Sequence, residues 1–376
     1  MIVLRRLGWF LLLMAFGLAA ACSAKSPAVS DQQGADAPPV LPKVVWVRDI
    51  DHRAALAAPA FAEPALAGDL IVVGGQDSRA HVLSMSGREK ARFALAAPSE
   101  SGAAVLPDGT AVLADAKGML YALDIGLEKE SWRKQLSSTV LGRPVVADST
   151  ILVQTADNRI YAFGADGEKR WSFASIAGDI TIHAGASPVV SDGIVYAIFS
   201  NGDVAALRLE NGNLIWRRQL FLGREATVLS DIKAPISDPV VAGELLILSF
   251  YQGEIIALSR NDGERVWTRK ISLRSTPLLL KGNLYAAAAD GAVLALDPLS
   301  GETQWKQEIS KEELIGPVAW QDNLLLADAD GGVYVMNASG GQASSLVLSG
   351  RIDRAPLVSG QGVLLRNTRG SLYLLR

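Results

Sequence analysis

The sequence predicts an all-β fold: an eight-bladed β-propeller of four-stranded antiparallel blades. Three observations carry that expectation. One motif of about forty residues recurs from Pro64 to the C-terminus. Each copy breaks into about four short apolar runs separated by turn residues, the rhythm of an antiparallel meander. The last copy ends before its final strand, and a matching strand stands unpaired ahead of the first copy.

The clearest copy runs Pro277-Leu278-Leu279, then the turn Gly282-Asn283, then Leu284 to Ala289. It continues through Asp290-Gly291, Ala292 to Leu296, Asp297 and Gly301 to Trp305. Other copies open at Pro144, Pro188, Pro239, Pro317 and Pro356, and two weaker ones open near Pro64 and Ala103. Asn201-Gly202 and Asp290-Gly291 are tight-turn signals, because glycine accepts the positive φ such turns demand. A single four-stranded sheet cannot bury both faces. Eight packed radially can, and only short edges remain. The recurring Trp132, Trp171, Trp216, Trp267 and Trp305 supply large flat surfaces for packing between blades.

The final repeat runs from Pro356 through Val363-Leu364-Leu365 to Leu372-Tyr373-Leu374 and lacks a tryptophan strand. Lys43-Val44-Val45-Trp46-Val47 is such a strand without a blade. We therefore expect it to complete the last blade and close the ring, since an open blade would expose a sheet edge.

Ahead of it lies an address. Arg5 and Arg6 precede the apolar stretch Leu7 to Ala21, and Ala20-Ala21 precede Cys22. This is the layout of a signal peptide, and the stretch is short for a membrane span. Leu18-Ala19-Ala20-Ala21-Cys22 resembles a bacterial lipoprotein box, with the usual leucine one place further out. That resemblance implies acylation of Cys22 after removal of residues 1–21. An ordinary signal peptide with an incidental cysteine is the alternative. Ser23, where lipoproteins retained at the inner membrane tend to carry aspartate, implies by the same resemblance the outer membrane. Residues 23–42 are rich in Pro, Ala, Ser, Asp and Gln and read as a flexible tether spanning roughly 25 Å. The expected organisation is a signal peptide over 1–21, a lipidated cysteine and tether over 22–42, and the propeller over 43–376.

Composition excludes several classes. Hydrophobic residues make up 49% and charged residues 20%, which suits a large core rather than disorder. The net charge is −3 and no Lys/Arg block stands out, so nothing supplies a nucleic-acid-binding face. One cysteine forms no internal disulfide. His52, His81 and His183 are far apart in sequence, and no nucleophile elbow, P-loop or zinc-protease motif occurs. Asp328-Ala329-Asp330-Gly331 has the start of a calcium loop but lacks its later ligands, and it aligns with the turn at Asp290-Gly291. No cofactor, no metal and no catalysis are expected.

The stretch from Ala295-Leu296 through Gly301 to Trp305 resembles the tryptophan-docking repeat of quinoprotein dehydrogenases. So do Ala257-Leu258 through Gly263 to Trp267, and Ala206-Leu207 through Gly212 to Trp216. The combination of lipobox, tether, lone strand and eight such repeats resembles the BamB family, lipoprotein subunits of the β-barrel assembly machinery. That resemblance implies a non-catalytic scaffold on the periplasmic side of the outer membrane. It would be a monomer within a hetero-complex, binding BamA and other machinery subunits, with nascent outer-membrane proteins as further partners. The rivals are a quinone-dependent dehydrogenase-like enzyme and a periplasmic scaffold of another envelope complex. Such enzymes typically pair adjacent cysteines beside the quinone, which one cysteine cannot provide.

A docking face is suggested by spacing. The stretches Trp171 to Pro188 and Trp216 to Pro239 are longer than those from Trp132 to Pro144, Trp267 to Pro277 and Trp305 to Pro317. Two neighbouring blades thus carry long connections on one face, where binding residues gather. The first contains Ile176, Ile180, Ile182 and His183. The second contains Phe221, Leu222, Arg224, Val228, Leu229, Asp231, Ile232 and Lys233. These side chains either form an interaction patch or pack the loops onto the propeller. Leu229-Ser230-Asp231-Ile232 resembles the family's Leu-Ser-Asp-Val segment, whose acidic residues face BamA. Lys233 falls near the family's second aspartate. Ile180-Thr181-Ile182-His183 stands where the family has two leucines and an arginine. The resemblance therefore implies partner contacts through Ile180, Ile182, His183, Leu229, Asp231 and Lys233.

Overall fold

In each repeat the chain runs outward through four antiparallel strands, here a to d, before crossing to the next repeat. The computed structural model describes residues 39–51, 62–140, 142–175, 185–220 and 235–376. These hold eight four-stranded sheets, the blades, and no helix. Blades 1 to 7 span 65–94, 104–135, 145–174, 189–219, 240–269, 278–308 and 314–347.

Blade 8 takes strands a to c from Leu357–Ser359, Gly362–Arg366 and Ser371–Leu375. Its strand d is Val44–Asp49, antiparallel to Ser371–Leu375, with Trp46 opposite Leu374 and Asp49 opposite Ser371. The N–H of Lys43 donates to the Arg376 carbonyl at 2.5 Å, and Arg376 returns the bond at 2.9 Å. The expected closure is therefore present.

Burial follows position in the blade. Strands b and c read as continuous apolar runs and are nearly inaccessible, as in Leu245–Ser249 and Ala292–Leu296. They are covered on both faces by neighbouring blades, which explains why they do not alternate. Strand d is mostly exposed and strand a half-buried. Among the described residues the buried side chains form eight clusters, one at each blade junction. The cluster between blades 8 and 1 joins Leu364, Leu372 and Leu374 to Ile71, Val73 and Met85. The ring thus closes by the same packing that builds it.

Tryptophan docking has one repeated geometry. In blades 2 to 6 the indole on strand d stands opposite an alanine of strand c, beside a β-bulge. In blades 2 to 5 its Nε1 reaches the next blade's c–d turn. Trp132 donates to Ala165, Trp171 to Leu209, Trp216 to Arg260 and Trp267 to Pro298, at 2.7–3.0 Å. Trp46 makes the same bond to Met85 across the closure, at 3.0 Å. Under these five rings lie Gly87, Gly167, Gly212, Gly263 and Gly301, all at positive φ; a Cβ there would fall 2.6–2.9 Å from an indole atom. Glycine is required twice over, by the left-handed turn and by the approach of the ring.

The meander fixes two faces. The a–b and c–d turns lie on one, the turn face. The b–c turns and the d-to-a connections lie on the other, the crossover face. Asp328 confirms the turn reading of its segment. One carboxylate oxygen accepts from the N–H groups of Asp330 and Gly332, the other from the Ser310 and Tyr334 hydroxyls. Asp115 in blade 2 repeats the arrangement with Lys117, Met119 and Tyr121.

Candidate partner-docking face

The two long connections leave the crossover face between blades 3 and 4 and between blades 4 and 5. Ile180, Ile182, His183, Leu229, Asp231 and Lys233 lie outside the described residues, as do Cys22 and His52. The four roots of the connections are described, and they are knitted together.

The first connection starts at Ser175. Its N–H donates to the Asn158 carbonyl, and its hydroxyl meets the Asp203 carboxylate and the Asn201 amide of blade 4. It returns at Ala186-Ser187. The second starts at Leu220, whose N–H donates to the Gly202 carbonyl, and returns at Ser237-Asp238. Ala186 and Leu220 pack in one cluster with Phe250 and Trp216, so one apolar core anchors both connections. The hydroxyl of Ser237 donates to the Ser249 carbonyl at 2.8 Å.

Asp238 is the centre of this arrangement. One carboxylate oxygen accepts the Ser187 N–H at 2.7 Å, which ties the end of one connection to the end of the other. The second oxygen pairs with Arg143 of blade 3 at 3.2 Å. The Arg143 N–H in turn donates to the Ser187 hydroxyl at 3.0 Å, and the Thr276 hydroxyl accepts the Asp238 N–H at 2.9 Å. Blades 3, 4 and 5 therefore meet at the Asp238 carboxylate, and blade 6 meets its backbone N–H. Burial pushes the Asp238 carboxyl above its ordinary range, against the charge of Arg143 and the Ser187 N–H.

These residues stand beside the ring axis. Asp238, Arg143 and Ser187 line a central cavity of about 780 Å³, together with Glu63, Arg274 and Arg354. Arg354 faces Glu63 at 3.8 Å, and Arg274 pairs with Glu313. The axis is thus lined by charges of both signs at the level where both connections are rooted. Sequence reading missed Arg143, Ser187 and Asp238. Their common signal is position: each immediately precedes the proline that opens a blade.

Of the three histidines, His81 is described. It is buried on strand c of blade 1, with its ring nitrogens 3.1 Å from Asp77 and 2.9 Å from Glu89.

The fold and this face define the class: an eight-bladed propeller of tryptophan-docking repeats with its long connections rooted between adjacent blades. The family is narrower. The chain belongs to the outer membrane protein assembly factor BamB family, whose model matches residues 76–307 and 289–375. BamB of Bordetella pertussis is 28% identical over 282 residues, covering 74% of this chain and 70% of the relative. Matched stretches cover 66–70% of the length of three such relatives. The crystal structure of BamB from Moraxella catarrhalis is similar with a TM-score of 0.78 at 19% identity, covering 89% of this chain and 100% of that one. A europium-containing methanol dehydrogenase is similar with a TM-score of 0.68 at 13% identity, covering 86% and 84%. At those identities the two structures speak for the fold alone.

Proposed function

We propose that this chain is a non-catalytic scaffold subunit of the β-barrel assembly machinery that aids the folding and insertion of outer-membrane proteins. The observation that carries the reading is the match of the BamB family model along nearly the whole propeller. The proposed organisation is a removed signal peptide over 1–21, a lipid on Cys22 followed by a tether to residue 42, and a propeller facing the periplasm. The proposed dock for BamA is the pair of long connections on the crossover face. Ile180, Ile182 and Leu229 would supply apolar contact, and Asp231, His183 and Lys233 would set charge. Support comes from the shared anchoring of the two connections through Ser187 and Asp238, which lets them act as one surface. Nascent outer-membrane proteins are proposed as further partners.

The test is affinity purification from detergent-solubilised envelopes, comparing wild type with Asp231→Arg. Recovery of a large outer-membrane barrel subunit with wild type and its loss with the variant supports both function and dock. Recovery with both keeps the function and moves the dock. Recovery of no barrel subunit, under conditions that preserve other envelope complexes, overturns the reading.

A further inference from the structure

The junction between blades 1 and 2 departs from the docking rule in two linked ways. Strand d of blade 1 carries Ala91 opposite Val82, where the tryptophan stands opposite strand c in blades 2 to 6. The c–d turn of blade 2 carries Glu128 at φ 50°, in the place the docking glycines hold elsewhere. The changes belong together. A Cβ under the indole is excluded where an indole is present and tolerated where it is absent.

Beside the c–d turn of blade 2, which no indole covers, the turn face holds an open cleft. A cavity of about 850 Å³ lies there, with an apolar wall that includes Leu66, Leu70, Val105 and Ile125. Its rim carries Asp108, Asp124 and Asp148, and no lysine or arginine lines it. Among the described residues none of these three carboxylates has an ion-pair partner. The Ile125 carbonyl stands in the turn where Met85, Ala165, Leu209, Arg260 and Pro298 accept an indole N–H. No described residue donates to it.

We infer that this cleft is a second docking site, which takes an extended segment of a partner protein with an apolar side chain flanked by lysine or arginine. The apolar side chain packs on the wall formed by Leu66, Leu70, Val105 and Ile125. Its neighbours pair with the carboxylates of the rim, and a backbone N–H of the segment donates to the Ile125 carbonyl. Charge complementarity selects this occupant. The chain's own tether, residues 23–42, has one lysine, two aspartates and no aromatic residue, and is the wrong match. Because the cleft opens on the turn face and the long connections leave the crossover face, the propeller can hold one partner on each side.

The test uses the full chain and a fluorescein-labelled peptide, Gly-Lys-Trp-Lys-Gly, read by anisotropy. The control is its acidic counterpart, Gly-Glu-Trp-Glu-Gly. Only the basic peptide should bind, and raising salt from about 0.05 to about 0.5 M should weaken it several-fold. Asp108→Asn and Asp148→Asn should each weaken it about two- to five-fold. The double substitution Ala91→Trp with Glu128→Gly installs the tryptophan–glycine pair found at five other junctions and brings an indole to Ile125 in the cavity wall. It should abolish peptide binding while the thermal midpoint holds or rises. Recovery of the barrel subunit through the opposite face should be unchanged, which separates this site from the proposed dock. Equal binding of both peptides, no binding of the basic peptide at about 1 mM, or undiminished binding to the aspartate variants would overturn the inference.

Discussion

The Arg366 guanidinium lies 2.8 Å from the Asp51 carboxylate, with both side chains 3% exposed, although the two residues stand near opposite ends of the chain. Arg366 also donates to the Ala62 and Gly74 carbonyls at 2.9 and 2.8 Å, and Asp51 accepts the Gln76 N–H at 2.6 Å. The pair binds the closing segment, blade 8 and blade 1 to one another. Burial pulls the Arg366 guanidinium down from its ordinary value, and the Asp51 charge opposes that pull. Breaking a buried pair leaves one charge uncompensated. Asp51→Ala should therefore cost about 3–5 kcal/mol in denaturant unfolding. Asp51→Ala combined with Arg366→Met should cost less than the sum of the two single changes.

The closing strand makes a separate prediction. Deleting residues 43–48 removes strand d of blade 8 and exposes the edge of Ser371–Leu375. The truncated chain should elute as oligomers in size-exclusion chromatography. Trp46→Ala keeps the edge covered and should remain monomeric, with a loss of about 1.5–3 kcal/mol for the lost indole burial.

Two glycines separate strain from crowding. Gly193 and Gly263 share a positive φ, but a Cβ on Gly193 meets nothing within 4 Å, and one on Gly263 lies 2.6 Å from Trp216. Gly193→Ala should cost about 1–2 kcal/mol from the left-handed backbone. Gly263→Ala should cost about 1–3 kcal/mol more and shift the tryptophan fluorescence. Equal losses would mean that the indole is not held against the turn.

Acid should act through Asp328. Burial works to raise this carboxyl, but hydrogen bonds from Tyr334, Ser310 and the N–H groups of Gly332 and Asp330 outweigh it and hold it below its ordinary value. A carboxyl lowered on folding contributes stability above its unfolded value, about pH 4. That contribution is lost as pH falls through the folded value. The thermal midpoint should fall on acidification below about pH 4, and Asp328→Asn should flatten the fall while lowering the midpoint at neutral pH. An unchanged slope would remove Asp328 from the account.

The roots of the two connections can be loosened without unfolding a blade. Asp238→Ala removes the acceptor of the Ser187 N–H and the partner of Arg143. Amide exchange at residues 185–187 should quicken. Global stability should fall by only about 1–2 kcal/mol, because the ion pair is partly exposed and one hydrogen bond is lost. Recovery of the barrel subunit should weaken if both connections form one dock.

Much of this architecture was legible because a repeat announces itself many times. The b and c strands were readable from their apolar runs, the turns from Asn201-Gly202 and Asp290-Gly291, and the closure from a repeat lacking one strand. The docking pairs were half legible. Trp216 is visible at once, but its partner Gly263 belongs to the next repeat, where the sequence shows it only as part of that repeat's own motif. Ala91 and Glu128 were not legible as a linked pair, since their relation exists only across a junction. The Arg143–Ser187–Asp238 knot was hidden for a similar reason. Its members come from three blades, and polar residues before a proline carry no periodic signal.

The sequence by itself determined the number of blades, the strand rhythm within each and the strand that closes the ring. These depend on local turn chemistry and on apolar periodicity, which repeat along the chain. The tertiary structure alone decided which polar groups meet at the axis, which junctions lack an indole, and how Asp51 finds Arg366. Those relations join residues far apart in sequence. They arise only when radial packing brings strand a of every blade to one axis and sets each strand d against the next blade's turn.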